Sequence, residues 1–155
     1  MKLNLSNRSA GACLAALASL SATPAVAKQL VSLDSAVFVE RQQSGNIRSL
    51  EPVERLTRGD RVVTVVTWQR VSPDADRTGS FTVTNPLPRA IAYQTSARDD
   101  EEISIDGGHT WGKLGMLRVG SRMATPEDVT HVRWRITATT AAKGRGQIAY
   151  SGIVR

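Results

Sequence analysis

The chain has 155 residues, 41% hydrophobic and 5% aromatic, with 20 basic against 14 acidic side chains and a formal charge of +6. A length of this order predicts a single folded domain. The basic residues are scattered, so no window holds the five-residue block of a nucleic-acid patch, and a lone cysteine, Cys13, excludes a disulfide framework.

Residues 1–27 read as a secretory signal peptide. Lys2 and Arg8 precede an apolar run from Ala10 to Leu20, and Pro24-Ala25-Val26-Ala27 carries the small-x-small ending cut by signal peptidase. The run is far shorter than the roughly 20 residues a spanning helix needs. A periplasmic or secreted address is therefore expected, with no membrane span after cleavage. The residues before Cys13 are too few and too polar for a lipoprotein signal, and loss of Cys13 with the leader removes thiol redox chemistry and cysteine metal ligation. Cleavage of 27 of the 155 residues leaves a single domain over 28–155, with 18 basic against 14 acidic side chains.

From there onward the pattern is period-two alternation or short β-branched runs, with turn residues every eight to twelve positions, which predicts an all-β sandwich or barrel. Strands are expected at Ala36 to Glu40, Ile47 to Leu50, Arg61 to Val71, Ser80 to Thr84, Ile91 to Ala97, Glu102 to Ile105, Lys113 to Arg118, Val129 to Thr139 and Gln147 to Val154. The β-branched run Val62-Val63-Thr64-Val65-Val66-Thr67-Trp68 suits a central, largely buried strand. It follows the turn Arg58-Gly59-Asp60. Ser72 to Gly79 is a polar turn cluster. Thr125 and Pro126 predict one helical turn, as cap and first residue. Val129 to Ile136 alternates so that Thr130, Val132, Trp134 and Ile136 share a face, leaving Arg133 and Arg135 to solvent. Ala141 to Gly146 reads as a flexible connection. No fixed-period repeat is present, which argues against a propeller or solenoid.

Leu56 to Val66, with its Gly59-Asp60 turn, and Val83-Thr84-Asn85-Pro86-Leu87-Pro88 before Ile91-Ala92-Tyr93 resemble a bacterial conserved repeat, the domain of unknown function eleven. Its members are immunoglobulin-like sandwiches of surface and secreted proteins. The resemblance covers about residues 54 to 137, and at its widest takes in the final strand. Asn85 stands where the family usually has an acidic residue, and Trp68-Gln69-Arg70-Val71 replaces its polar turn. What it implies is an immunoglobulin-like antiparallel β-sandwich of about seven to nine strands and an envelope address, with no shared catalytic residues. The corner also makes sense physically, because Pro86 and Pro88 remove two donors and end a ladder, letting Leu87 plug the space between sheets.

Ser104-x-Asp106-x-Gly108-x-Thr110-Trp111 resembles the Asp-box of sialidases and other propellers, a hairpin in which Asp and Thr tie the turn and Trp packs beneath. A single box in so short a chain cannot make a propeller. Asp106 is expected to accept turn amides, Gly107 and Gly108 to be left-handed, and Trp111 to anchor in or near the core. Asp99, Asp100 and Glu101, with Asp106 nearby, are the candidate ligands for calcium, the one cofactor the sequence suggests. They lack the spacing of a calcium loop, and an exposed acidic turn explains them equally well. His109 and His131 have no acidic partner at a telling spacing, and no serine sits in a nucleophile elbow.

The expected role is thus an exported, non-enzymatic envelope module, structural or protein-binding, whose partner is an envelope protein or polysaccharide. Three other readings carry their own signatures. A carbohydrate-binding module needs exposed rings among Trp68, Trp111 and Trp134. A small periplasmic hydrolase needs a His beside a carboxylate. Strand-addition assembly would use Gln147 to Val154 as the donated edge.

Overall fold

The β-branched run after Asp60 forms a ten-residue strand, β3 (Arg61–Arg70), around which the larger sheet is built. The computed structural model describes residues 31–43, 45, 47–71 and 79–155; the leader with Cys13, and residues 72–78 of the polar turn cluster, lie outside them. Gly59, at φ 90°, turns the chain into β3. The Asp60 carboxylate locks that turn by accepting the Thr57 amide and hydroxyl at 2.8 Å each and the Arg41 guanidinium at 2.9 Å.

Before β3 come β1 (Val31–Gln42) and β2 (Arg48–Pro52), and after it β4 (Phe81–Pro86), β5 (Ile91–Ser96) and β6 (Glu102–Ser104). The chain continues through β7 (Arg118–Val119), β8 (Arg122–Met123), a 3-10 turn over Pro126–Asp128, β9 (His131–Ile136), α1 (Ala138–Ala141) and β10 (Arg145–Val154). The larger sheet has five strands in the order β2-β1-β3-β10-β5, the smaller has three, β4-β9-β6, and β7 and β8 pair as a separate hairpin. Every pairing is antiparallel. The expected all-β antiparallel sandwich is what the chain forms.

In its layering the molecule follows an immunoglobulin constant-type sandwich, with β1-β3-β10-β5 facing β4-β9-β6 as strands A-B-E-D face C-F-G. The connectivity is its own, because the inner position beside β3 is taken by the last strand rather than the fifth. β10 pairs with β3 on one side and β5 on the other. It is therefore no free edge to donate, which removes strand donation by Gln147 to Val154. β1, which completes the sheet on one side of β3, lies outside the stretch that carries the family resemblance.

The core lies between the sheets. Val62, Thr64, Val66 and Trp68 point inward from β3, and Val132, Trp134 and Ile136 from β9. β3 is thus buried on one face, not both: Val63, Val65 and Thr67 stay half-buried. Their β-branching suits the pleat whichever way they point. Trp68 meets Phe81 of β4 edge to face at 5.3 Å, and Trp134 meets Tyr150 of β10 at 5.7 Å. Those two ring pairs hold the layers in register.

Four expected elements differ. β1 starts five residues before Ala36, because Val31, Leu33, Val37 and Val39 continue the alternation through Ser35. Most of the stretch expected as a strand over Lys113 to Arg118 is a turn, since Gly115 at φ 92° breaks the extended backbone, and only Arg118 is extended, as the start of β7. The strand over β9 ends at Ile136, where the Thr137 hydroxyl accepts the Thr140 amide and starts α1. Finally, Arg145 and Gly146 belong to β10, and the absence of a side chain at Gly146 makes room for Trp68: a Cβ there would sit 2.6 Å from the ring.

Candidate functional site

The Asn85-Pro86-Leu87-Pro88 corner carries the chain from the smaller sheet to the larger. The Leu87 amide donates to the Thr130 carbonyl at 2.8 Å, the last link with the β9 side, and the Ile91 amide closes a turn on the Pro88 carbonyl at 2.9 Å. Leu87 is buried, as a plug between the layers should be. Asn85 faces inward and its side-chain amide donates to the Tyr150 hydroxyl at 2.7 Å, tying β4 to β10. An acidic residue could only accept at that place, whereas the amide donates and leaves the phenol free to donate onward.

Beside this corner opens a cleft of about 260 Å³, lined by Ser35 and Val37 of β1, Val62 and Thr64 of β3, Tyr150 of β10, Leu56 and the corner itself. No charged side chain lines it. Its floor continues along β1, where Leu33 is 49% and Val37 43% exposed although both point to the inner side, in the rows of Trp68 and Thr64. Leu56, 40% exposed, forms its outer wall. The larger sheet is wider than the smaller one, and the excess shows as an apolar ledge. Two other clefts, at Arg41–Glu54–Arg55 and at Gln69–Arg145–Gln147, are lined by charged and polar groups. Sequence reading missed Leu33, Ser35, Val37 and Leu56; the alternation through Val31, Leu33, Val37 and Val39 was the signal that could have found the first three.

The Asp-box residues form the tied turn that their pattern implies. Asp106 accepts the Ser104 hydroxyl at 2.7 Å, the amides of His109 and Thr110 at 3.0 and 2.9 Å, and the Thr110 hydroxyl at 2.6 Å. Gly107 and Gly108 are left-handed at φ 78° and 92°. Trp111 is not a core residue. It lies half-buried on the outer face of the smaller sheet, its indole N–H donating to the Gly108 carbonyl at 2.9 Å, with the Arg133 guanidinium 4.3 Å over the ring. Arg133 also bonds Glu102 at 2.8 Å, so it is a strut on this face and not a freely solvated side chain.

The calcium candidates do not converge. Asp106 is fully engaged within its own turn, Asp100 pairs with Arg98, and Glu101 stands 3.7 Å from Lys113. Among the described residues no three His, Cys, Asp or Glu side chains gather where a metal could sit. Nor do the imidazoles meet a carboxylate: His109 bonds the Asp106 carbonyl and His131 the Thr130 hydroxyl. Trp68 is 1% and Trp134 0% exposed, so the pair of exposed rings required for sugar stacking is missing. Among the described residues no helix is long and apolar enough to cross a membrane.

Asp106 is held well below the usual carboxylate range, chiefly by the Thr110 hydroxyl and amide, then by Ser104. Asp128 is lowered likewise, chiefly by the Arg122 guanidinium at 2.6 Å and by the Thr125 amide. A depressed folded-state pKa means that the unfolded chain takes up protons first. The stabilisation is therefore present above the ordinary carboxylate pKa of about 4 and is lost as the pH falls below it. Urea midpoints are expected to drop between about pH 5 and pH 2, and Asp106→Asn should flatten part of that drop. An unchanged slope in the variant would remove Asp106 as a contributor.

Comparison with protein-family models, with curated proteins and with solved structures finds no match to this chain.

Proposed function

We propose that this chain is an exported, non-enzymatic β-sandwich of the bacterial envelope that works by binding another envelope protein through the cleft at the Asn85–Pro88 corner. The observation that carries the reading is the ledge of inward-facing but uncovered apolar side chains, Leu33 and Val37, continuous with that cleft. Apolar surface of this kind, rimmed by polar groups, marks a contact site rather than a finished exterior. Export is supported by the leader-like residues 1–27, and the envelope address also by the resemblance to the conserved surface repeat. The tied turns at Asp60, Asp106 and Asp128 leave those carboxylates occupied with holding loops, which favours a scaffold over a reaction centre.

A photo-crosslinking phenylalanine placed at Val37 or Leu56 tests this in the cells that make the protein. One discrete adduct with an envelope polypeptide is expected from both positions, and none from Gln69, an exposed residue away from the cleft. Equal labelling from all three positions, or no adduct at 37 and 56, would count against the cleft as the contact surface.

A further inference from the structure

We propose that the edge of β4, unpaired among the described residues, accepts a single extended strand from another polypeptide, which adds to the smaller sheet and covers Leu33 and Val37. This rests on the partner-binding reading above and names what the partner presents. The sheet registers locate the slot. Phe81 packs on Trp68, whose neighbour across β1 is Leu33. Four residues on, Asn85 bonds Tyr150, which pairs with Thr64, which in turn pairs with Val37. Thus Phe81 to Asn85 runs alongside Leu33 to Val37, and the strand position next to β4 lies over that ledge.

Edge chemistry singles out β4. Exposed sheet edges are ordinarily guarded by charges, bulges or short length. β2 carries Arg48 and Glu51, β6 is three residues long with Glu102, and β5 is bulged where Ser151 faces Thr95 but Gly152 faces Tyr93. β4 reads Phe-Thr-Val-Thr-Asn-Pro, six residues without a charge, guarded by Pro86 at one end. Among the described residues its one hydrogen-bonded neighbour is β9. Unpaired backbone amides and carbonyls are best met by another backbone.

The same geometry selects the occupant. Antiparallel pairing of two β4 edges, one from each of two copies, relates them by a twofold axis normal to the sheet and keeps both larger sheets on one side. Since β1 and β2 project beyond β3 beneath the slot, the second copy's own β1 and β2 would need the same space. A single strand has no such layer and fits. With one face on the ledge and the other in water, the incoming strand should alternate apolar and polar side chains over about five residues.

Panning a random twelve-residue peptide display library on the mature chain tests this, with Val37→Glu as the counter-selection target. Enriched sequences are expected to alternate apolar and polar residues and to bind Val37→Glu at least tenfold more weakly, while the variant melts like the parent. If Val37→Glu fails to fold, Leu33→Glu replaces it. The enriched peptide is then made with N-methyl groups on alternate amides, in two frames. One frame should lose binding and the other keep it, and the Thr82 or Thr84 amide should exchange more slowly when peptide is bound. Failure to enrich, or retention of binding in both frames, overturns strand addition while leaving crosslinks at position 37 to stand for the cleft as a contact site. A dimer in sedimentation that Val37→Glu dissolves would place a second copy in the slot and overturn it as well.

Discussion

Trp134→Ala is expected to destabilise the domain by about 3–5 kcal/mol, the range for emptying a fully buried aromatic site. The indole is 0% exposed, lies 5.7 Å from the Tyr150 ring, and donates its N–H to the Ser96 hydroxyl at 2.9 Å. Removing it opens a void where β9 reaches both β10 and β5. Because domains of this kind hold only about 5–15 kcal/mol in total, the variant should be close to unfolded at room temperature. Trp134→Phe keeps most of the volume and forfeits chiefly the hydrogen bond, for about 1 kcal/mol. Urea titration of both variants reads the difference; similar costs for the two would mean that the hydrogen bond, not the ring volume, dominates.

The second large effect is at Gly152, where an alanine methyl would stand 2.3 Å from Ile91 Cγ2 and 2.8 Å from the Ala92 carbonyl oxygen. The site lies at the register shift between β10 and β5, where backbone approaches backbone. Overpacking of this sort costs about 1–3 kcal/mol, and the carbonyl cannot rotate away as a side chain can. Gly152→Ala should therefore lower the urea midpoint markedly. Measured in an Ile91→Ala background, the cost of Gly152→Ala should shrink only in part, since the oxygen stays where it was. A cost near zero in that background would identify Ile91 alone as the obstacle.

What could be read from residues alone was the part governed by local chemistry. β3 announced itself through β-branched residues at nearly every position, the Pro126 turn through its cap, and the Asp106 turn through a pattern in which Ser104, Asp106 and Trp111 each meet a backbone group within four residues. The leader reading falls on residues outside the described ones. What could not be read was relative width. Nothing in Leu33 or Val37 tells which residues on the inner face of a sheet the facing sheet will reach, because that depends on β4 being an edge strand and on β1 lying beyond it. Trp111 shows the same limit from the other side: its pattern implied an anchor, but only the position of Arg133 on β9 places the ring on an outer face instead of in the core. The turn at Gly115 was legible in principle, since a glycine interrupts Lys113 to Arg118, and the apolar neighbours Leu114, Met116 and Leu117 masked it.

The place of β10 in the middle of the larger sheet bears on when the molecule can fold. Until Arg145–Val154 has paired, β3 and β5 lack the strand that joins them, and the wider layer stays in two pieces. Closing the wider layer is thereby a late step, as contacts this distant along a chain, such as Ile148 with Val66, are slow to form.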